Sequence, residues 1–347
     1  MKIPYAELQL GPMIGNGTVG AVHRATLLPT GQTVAVKLLH PAVSQDPLVR
    51  ARFRREMEIL ERLHHPNIIR YFGGGEHDGQ LYYVMEAVEC GTVKDLLERF
   101  GSLSWAEVAS IARQVGSALQ HSHNQGVIHR DLKPGNLFLT AEGQIKLGDF
   151  GIARDTHSAD LTSEGLTVGT HAYMSPEQIT GETQITGKAD LYSLGCVLFE
   201  LLTGNKPFPG NNFAAIFEQH LRKPAPRVTE FVPQCPKLLD DMIAALLEKQ
   251  PERRPFNARA VQAVALRLLD ESPQPCDAAT TTPLSSDVPA ANVRDVSQFV
   301  VNDTELGMLS LASKLNLSSQ REVSWKMLSV LALAVVVLIA VAAITSR

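Results

Sequence analysis

The chain has 347 residues and a formal net charge of −4, and 44% of its residues are hydrophobic. This length allows two domains or one large two-lobed domain with a sizeable core. The charge is mild and no long Lys/Arg run occurs, so we expect no nucleic-acid partner. Cys90, Cys196, Cys235 and Cys276 form no C-x-x-C pair, which favours reduced thiols over a zinc site or a disulfide framework.

Short β-type runs dominate the first part of the chain. One helical segment, 48–63, interrupts them, and its apolar residues Phe53, Met57, Leu60 and Leu63 recur at three-to-four spacing. That spacing predicts a helix with one face packed on a sheet. Strands are predicted at residues 8–14, 19–27, 33–39, 68–72 and 81–85.

Helical patterns dominate after residue 90. Ser104, followed three residues later by Glu107, forms a capping box, which predicts the start of a helix that continues through Leu119. A small sheet lobe followed by a larger helical lobe leaves a cleft, which is a common place for a ligand. Further helices are predicted at residues 191–202, 213–220, 238–247 and 258–269.

The composition changes again beyond residue 270. Residues 271–325 are rich in Ser, Thr, Pro, Ala and Asp, which predicts a disordered juxtamembrane linker. Residues 327–344 carry no charge and no proline, which predicts a transmembrane helix over residues 326–345. A buried core helix is the alternative, but such a helix normally keeps a polar stripe.

The charges around this span predict its orientation. Arg321 and Lys326 precede it, so we expect a single-pass membrane protein whose N-terminal mass faces the cytoplasm. Arg347 lies on the far side and weakens that bias. Because only a few residues follow the span, we expect no extracytoplasmic sensor domain.

Residues 15–22 read GNGTVGAV, a G-x-G-x-x-G-x-V pattern. Glycines let a backbone lie close to phosphate oxygens with its amides pointing at them. A dinucleotide-binding turn has a similar fingerprint, but here both flanks are β-rich and no helix begins at the last glycine. The pattern therefore favours a hairpin that covers a phosphate chain, with an ordinary turn as the alternative.

Lys37 ends an apolar strand that reads VAVK at residues 34–37. An ammonium group is costly to bury unless it meets an anion. Phosphate oxygens and the carboxylate of Glu56, on the predicted helix, would supply that anion. The alternative is a surface lysine whose charged end reaches solvent.

Two further motifs are HRDLKPGN at residues 129–136 and DFG at residues 149–151. With VAVK upstream, in this order and at these distances, they match the motif set of protein kinases. By these residues the chain resembles the eukaryotic-type, or Hanks-type, serine/threonine protein kinases over about residues 8–268. Its order of kinase, linker and single span is similar to that of bacterial transmembrane Ser/Thr kinases.

The resemblance implies an α+β, bilobal protein-kinase fold over residues 1–270. The N-lobe, about 1–86, would be β-rich with one helix, and the C-lobe, about 89–270, would be mainly α-helical. The cofactors implied are ATP and Mg²⁺, with Mn²⁺ as an alternative ion. The partners implied are protein substrates and the membrane, and a homodimer is left open.

The same resemblance implies the roles of four polar residues in phosphoryl transfer. Asp131 would accept the proton of the substrate hydroxyl or orient that hydroxyl, and Lys133 would steady the γ-phosphate. Asn136 and Asp149 would bind the metal, because oxygen ligands together with a triphosphate suit a hard cation such as magnesium. Phosphoryl transfer depends on positioning and charge neutralisation more than on covalent chemistry.

The resemblance also implies how a nucleotide would be held. Lys37 would bind the α- and β-phosphates and pair with Glu56. The glycine-rich hairpin would contribute Ile14, Gly15, Asn16, Gly17 and Gly20.

The adenine pocket is assigned in the same way. Met85 would close its back as the gatekeeper, and backbone groups of Glu86 and Val88 would bind the adenine edge. The apolar walls would be Val22, Ala35 and Phe138.

Other residues would have structural roles. Glu177 would form a buried ion pair with Arg254, and Asp190 would anchor the backbone of the catalytic loop. A packed spine between the lobes would consist of Leu60, Tyr71, His129 and Phe150.

The resemblance to the Ser/Thr-directed enzymes rests on Lys133 in the HRDLKPGN loop and on Thr170. The SPE sequence that ends at Glu177 departs mildly from the usual APE. In the family an arginine at the position of Arg130 receives a phosphate from the activation loop. We therefore expect autophosphorylation that raises activity, at one of the candidate hydroxyls Thr162, Ser163 and Thr167.

The alternatives belong to two other function classes. A membrane-anchored pseudokinase scaffold would bind nucleotide without transferring phosphate, but every expected catalytic position is filled. A small-molecule phosphotransferase of related fold would not need the complete activation segment at 149–177, which serves as a platform for a protein substrate.

Overall fold

The computed structural model describes residues 2–17, 19–150 and 168–270. The predicted linker, the predicted transmembrane helix and the three candidate phosphorylation sites lie outside the described residues. None of the helices that the structure describes is long and apolar enough to cross a membrane. Side chains are also not described for Leu48, Arg52, Arg54, Arg55, Glu56 and residues 168–170.

An antiparallel sheet of five strands forms the N-terminal part of the domain, in the order β1-β2-β3-β5-β4. In the central strand, Val34 and Val36 are fully buried on one side, while Ala35 and Leu39 join the larger core on the other. Successive side chains of a strand point to opposite faces, so this strand is buried on both. The strands are β1 (Leu8–Asn16), β2 (Gly20–Leu27), β3 (Gln32–Leu39), β4 (Tyr71–His77) and β5 (Gln80–Glu86).

The predicted strand at 68–72 is misplaced, because β4 occupies Tyr71–His77. Ile68 instead forms an isolated bridge with Leu147 in the C-terminal lobe. Three consecutive glycines hid the true strand, since glycine is normally unfavourable in a strand interior. Here it is required, because a Cβ on Gly74 would stand 2.3 Å from the backbone oxygen of Tyr82 in β5.

Two helices lie between β3 and β4, namely α1 (Pro41–Gln45) and α2 (Pro47–Leu60). The predicted helix is therefore present as α2, although it ends three residues earlier than expected. Its Phe53 and Leu60 are buried in the larger core.

The C-terminal lobe is mainly helical and carries a small two-stranded sheet. Ser104 and Glu107 cap α4 reciprocally: the Glu107 N–H donates to Ser104 Oγ (3.4 Å), and the Ser104 N–H donates to Glu107 Oε2 (2.8 Å). The elements are α3 (Val93–Phe100), α4 (Trp105–Asn124), β6 (Leu137–Leu139), β7 (Ile145–Leu147), α5 (Pro176–Ile179), α6 (Gly187–Thr203), α7 (Phe213–Arg222), α8 (Lys237–Leu246) and α9 (Ala258–Asp270).

A buried ion pair joins distant parts of this lobe, as predicted. Arg254 donates from its two terminal nitrogens to the two carboxylate oxygens of Glu177, at 2.6 and 2.8 Å. The same guanidinium donates to the backbone oxygens of Lys188, Glu248 and Lys249, at 2.8 to 2.9 Å. Glu177 and Arg254 are almost fully buried, so each charge depends on the other.

We expect Arg254→Met to lower the free energy of unfolding by about 3–5 kcal/mol, because it leaves a buried carboxylate without its partner. Urea denaturation followed by circular dichroism measures the loss. Arg222→Met is the matched control, because Arg222 pairs with Glu218 on the surface at 4.0 Å with 81% of its side chain exposed. Equal stability of the two variants would contradict the prediction.

Candidate active site

Asp190, on α6, anchors the backbone of the loop that carries the HRD motif. Its fully buried carboxylate accepts hydrogen bonds from the backbone N–H groups of His129 (2.9 Å) and Arg130 (2.8 Å). His123, near the end of α4, contributes a third contact from its Nε2 at 2.7 Å. These contacts confirm that Asp190 anchors the loop, and they hold Arg130 at a positive φ of 64° that few non-glycine residues adopt.

The ionised form of Asp190 is stabilised by these partners. Burial disfavours the carboxylate, but the hydrogen bond and charge of His123 and the contacts of His129 hold the pKa of Asp190 below its ordinary value. The carboxylate therefore stays charged and keeps its acceptor capacity for the loop.

His129 connects the catalytic loop to the strand that follows it. The Asp131 N–H donates to His129 Nδ1 (3.3 Å), and His129 Nε2 lies 3.0 Å from the backbone oxygen of Gly148. An N–H group can only donate and a carbonyl can only accept, so this geometry assigns the proton to Nε2. The ring is fully buried and packs against Phe150 with the ring centroids 4.6 Å apart.

The carboxylate of Asp131 is fixed by two neighbours on the same loop. Lys133 Nζ lies 2.9 Å from Asp131 Oδ2. The side-chain amide of Asn136 donates to the Asp131 backbone oxygen (2.8 Å) and to Oδ2 (3.3 Å). The side-chain nitrogen of Asn136 donates to Asp131, so a metal would be bound by the side-chain oxygen of Asn136.

Lys37, on the central strand of the sheet, contacts Asp149, which lies two residues after the end of β7 in the second lobe. Its Nζ lies 2.8 Å from Asp149 Oδ1. Partial burial favours the neutral acid, but the charge and hydrogen bond of Lys37, with help from Lys133 and His129, hold the pKa of Asp149 below its ordinary value. Asp149 has a positive φ of 51°, so its backbone lies in the left-handed region, which few non-glycine residues adopt.

Lys37 thus meets an anion, as the sequence predicts, and the contact described is with Asp149. The predicted partner Glu56 belongs to α2, but its side chain lies outside the part that the structure describes. The pairing of Lys37 with Glu56 therefore stays a prediction.

The glycine-rich segment is a hairpin, as predicted. Gly15 pairs with Val22, and Asn16 pairs with Ala21, at the end of the β1–β2 ladder. The Gly17 N–H closes the turn by donating to the backbone oxygen of Gly20 at 3.0 Å. A Cβ on Gly20 would stand 2.1 Å from the Leu38 backbone oxygen, so β2 can approach β3 at this point only with glycine.

The apolar residues assigned to the adenine pocket come together. Ala35 faces Met85 across the β3–β5 pair, and Val22, Val88 and Phe138 pack on the same hydrophobic cluster. These walls join the end of the sheet to β6 of the second lobe, so the cleft lies at the junction of the lobes.

Glu86 ends β5 at this cleft. Its N–H donates to the backbone oxygen of Arg70 at 2.8 Å, and its carboxylate pairs with Lys146 at 2.9 Å. A ligand would therefore be bound by the Glu86 carbonyl rather than by its N–H.

The donor set fits a hard cation that also binds phosphate. Asn136 and Asp149 are connected, because the Gly148 N–H donates to the Asn136 backbone oxygen at 3.0 Å. One amide oxygen and one carboxylate supply fewer than the six ligands of Mg²⁺, so the others would be phosphate and water oxygens.

Sequence reasoning missed His123. A single histidine on a helix carries no pattern that distinguishes it from a surface residue. Its role depends on the fold, because the ring lies against Gly187 at the start of α6, where a Cβ would stand 2.6 Å from ring atoms.

The four residues of the predicted spine between the lobes are all buried, as predicted. They are Leu60, Tyr71, His129 and Phe150.

Comparison with known proteins agrees with this architecture. The family model of the protein kinase domain matches residues 8–265. A probable serine/threonine-protein kinase PknB from Bifidobacterium longum is 40% identical over 257 residues, which cover 71% of this chain and 37% of that protein. Serine/threonine-protein kinase PknH from Mycobacterium bovis is 36% identical over 270 residues, 78% of this chain and 45% of that protein.

The chain therefore belongs to the protein kinase family. PknJ from Mycobacterium tuberculosis is a further relative, 38% identical over 256 residues that cover 72% of this chain and 43% of that protein. The chain spans less than half the length of these relatives.

We expect Asp190→Asn to loosen the catalytic loop and to lower the free energy of unfolding by about 2–3 kcal/mol. The amide keeps one acceptor oxygen but turns an N–H group toward buried donors, and hydrogen bonds to a charged acceptor are lost. Hydrogen exchange of residues 127–136 should accelerate. Asp95→Asn, an exposed cap on α3, is the control, and unchanged exchange in Asp190→Asn would contradict the role of the anchor.

Proposed function

We propose that the chain is a serine/threonine protein kinase that transfers the γ-phosphate of ATP to Ser and Thr hydroxyls of proteins. The observation that carries the proposal is the convergence of Lys37, Asp131, Lys133, Asn136 and Asp149 at one cleft between the two lobes. Lys37 contacts Asp149 at 2.8 Å, and Asp131 contacts Lys133 and the side-chain nitrogen of Asn136 at 2.8–3.3 Å. A hydrogen bond from the Gly148 N–H to the Asn136 backbone oxygen joins the two groups. The names of the curated relatives support the Ser/Thr class.

The chain's own residues account for positioning and proton handling. Asp131 faces Lys133, so its carboxylate is held to accept or orient the proton of an incoming hydroxyl. Lys37 and Lys133 bring positive charge to the place where phosphate oxygens would lie. ATP with its metal supplies the phosphoryl group and further charge neutralisation when bound.

A pseudokinase scaffold is the alternative from another class. It would require a defect in the phosphate-binding lysine, the base or the metal-binding oxygens. Lys37, Asp131, Asn136 and Asp149 are all present. Lys37 contacts Asp149, Asn136 contacts Asp131, and Gly148, next to Asp149, donates to the Asn136 backbone, which favours the enzyme.

Autophosphorylation of the activation segment is part of the same proposal. Thr162, Ser163 and Thr167 lie outside the described residues, and the support for this part comes from the surroundings of Arg130. Arg130 lies on the anchored loop, and its backbone oxygen accepts a hydrogen bond from Gln178 at 2.9 Å, beyond the end of the activation segment. A phosphate on the activation segment that bound the Arg130 guanidinium would add a second connection between the segment and the catalytic loop.

We expect Asp131→Asn to reduce γ-phosphate transfer to a protein substrate by about 10²–10⁴-fold, because the base is lost while the fold is retained. Lys37→Met should abolish most transfer through loss of phosphate positioning. The measurement is transfer of labelled phosphate, and Lys237→Met, a change of an exposed lysine at the start of α8, should keep the wild-type rate. Nucleotide binding without transfer by the wild type would support the pseudokinase instead.

The second part of the proposal is a membrane anchor at residues 326–345, preceded by a linker over 271–325. The support is compositional: the span is uncharged and apolar over the length that crosses a bilayer. The kinase domain would face the cytoplasm, where Arg321 and Lys326 favour retention of the flanking segment.

We expect the full chain to remain in the membrane fraction after carbonate extraction, because a spanning apolar helix is not released by high pH. A deletion of residues 326–347 should release the protein into the supernatant. Recovery of the full chain in the supernatant would refute the anchor and would leave the kinase proposal unaffected.

A further inference from the structure

Helix α9 presents an outer face that carries both apolar and basic residues. Its buried side is formed by Ala258, Val261, Ala265 and Leu268, which pack on the core. The residues on the opposite side are exposed at helical spacing. We define the α9 outer face as Phe256, Arg259, Ala263, Leu266 and Arg267.

Phe256, which lies just before the helix, is the most unusual member of this face. It is 87% exposed, and Leu266 on the helix is 43% exposed. An aromatic side chain held in water loses the transfer free energy that its burial would provide. Phe256 lies two residues after Arg254, which is fixed by the buried ion pair with Glu177, and the backbone between them passes through Pro255, whose φ is restricted.

The charges on this face favour an anionic partner. Arg259 and Arg267 flank Ala263 and Leu266, and Arg253, three residues before Phe256, is also exposed. Among the described residues, two exposed carboxylates accompany these three arginines: Glu252 precedes Phe256, and Asp270 lies on the same side of the helix as Leu266, at its C-terminal end. Apolar side chains surrounded by arginines are typical of helices that lie on anionic lipid surfaces, where the rings enter the headgroup region and the arginines meet phosphates.

The position of α9 in the chain places it near the membrane in which the chain is proposed to be anchored. The helix ends at Asp270, directly before the linker and the anchor proposed above, so the inference rests on that proposed function. The proposed linker over 271–325 has 55 residues, and a disordered chain of that length, which its composition predicts, has a root-mean-square span of about 40 Å. A tether of that length keeps α9 at a high effective concentration near the bilayer, so weak contacts suffice.

We propose that the α9 outer face docks on the anionic surface of the bilayer in which the chain is anchored. Phe256 and Leu266 enter the interfacial layer, and Arg259 and Arg267 bind lipid phosphates. Because α9 packs on α4, which leads to the catalytic loop, docking also fixes the orientation of the catalytic domain relative to the membrane.

The test uses the full chain in lipid nanodiscs. Ala263→Cys places a thiol at the centre of the α9 outer face, in a background with Cys276→Ser; the other cysteines, Cys90, Cys196 and Cys235, are buried. The rate of labelling by a membrane-impermeant maleimide is compared between discs of phosphatidylcholine and discs of an equal mixture with phosphatidylglycerol. Ala214→Cys, an exposed alanine on α7, is the matched control.

We expect labelling of Ala263→Cys to be at least about fivefold slower in the anionic discs, since each arginine near an anionic surface raises binding by about that factor. Labelling of Ala214→Cys should not change. Adding Arg259→Glu and Arg267→Glu to Ala263→Cys should restore the rate in the anionic discs.

Equal labelling of Ala263→Cys in both lipids would overturn the proposal. So would protection that occurs in both lipids only when a disc holds two chains, because a second copy would then cover the face.

If the extraction experiment shows that the chain lacks an anchor, sedimentation with vesicles replaces the discs. Binding to phosphatidylglycerol vesicles and not to phosphatidylcholine vesicles, lost in Arg259→Glu/Arg267→Glu, would support the docking surface without the anchor. Absence of sedimentation with either vesicle would overturn it.

Discussion

The site depends on the buried carboxylate of Asp190. It accepts two backbone N–H groups from the catalytic loop and one contact from His123, and it is completely removed from solvent. A loop that contains a non-glycine residue in the left-handed region is stable only when its surroundings determine its path. The positions of Asp131 and of the residues that contact it follow from this anchor.

The second requirement is a connection between the two lobes at the cleft. The Ile69 N–H, from the sheet lobe, donates to the backbone oxygen of Leu147 in the helical lobe at 2.9 Å. The ion pair between Lys37 and Asp149 crosses the same junction. Side chains from both lobes are thereby held at one place, which is what a reaction based on positioning requires.

The residues of the candidate site could be predicted from the sequence because their chemistry and order are unusual together. Lys37, Asp131 and Asn136 lie in motifs whose spacing a random chain would not reproduce, and the buried pair of Glu177 and Arg254 followed from the same motif set. The fold of the sheet lobe and the main helices also followed from periodicity.

Other features were not accessible to sequence reasoning for physical reasons. The position of β4 was masked by its run of glycines. At Gly74 the glycine is needed because β5 approaches too closely for a Cβ, and this tertiary cause leaves no local signal in the sequence. The role of His123 arises from a contact with Asp190, 67 residues away in the chain. Helix ends were displaced by a few residues, because capping and packing decide them together.

The contact between His123 and Gly187 has a consequence for how the family can diversify at these positions. The ring occupies the space where any side chain at position 187 would begin, so a larger residue there would force the ring away from Asp190. The two positions therefore form an epistatic pair: substitution at 187 requires a smaller residue at 123, and that change removes a donor from the anchor. The residue types tolerated at position 187, at the start of α6, thus depend on the residue at position 123, near the end of α4.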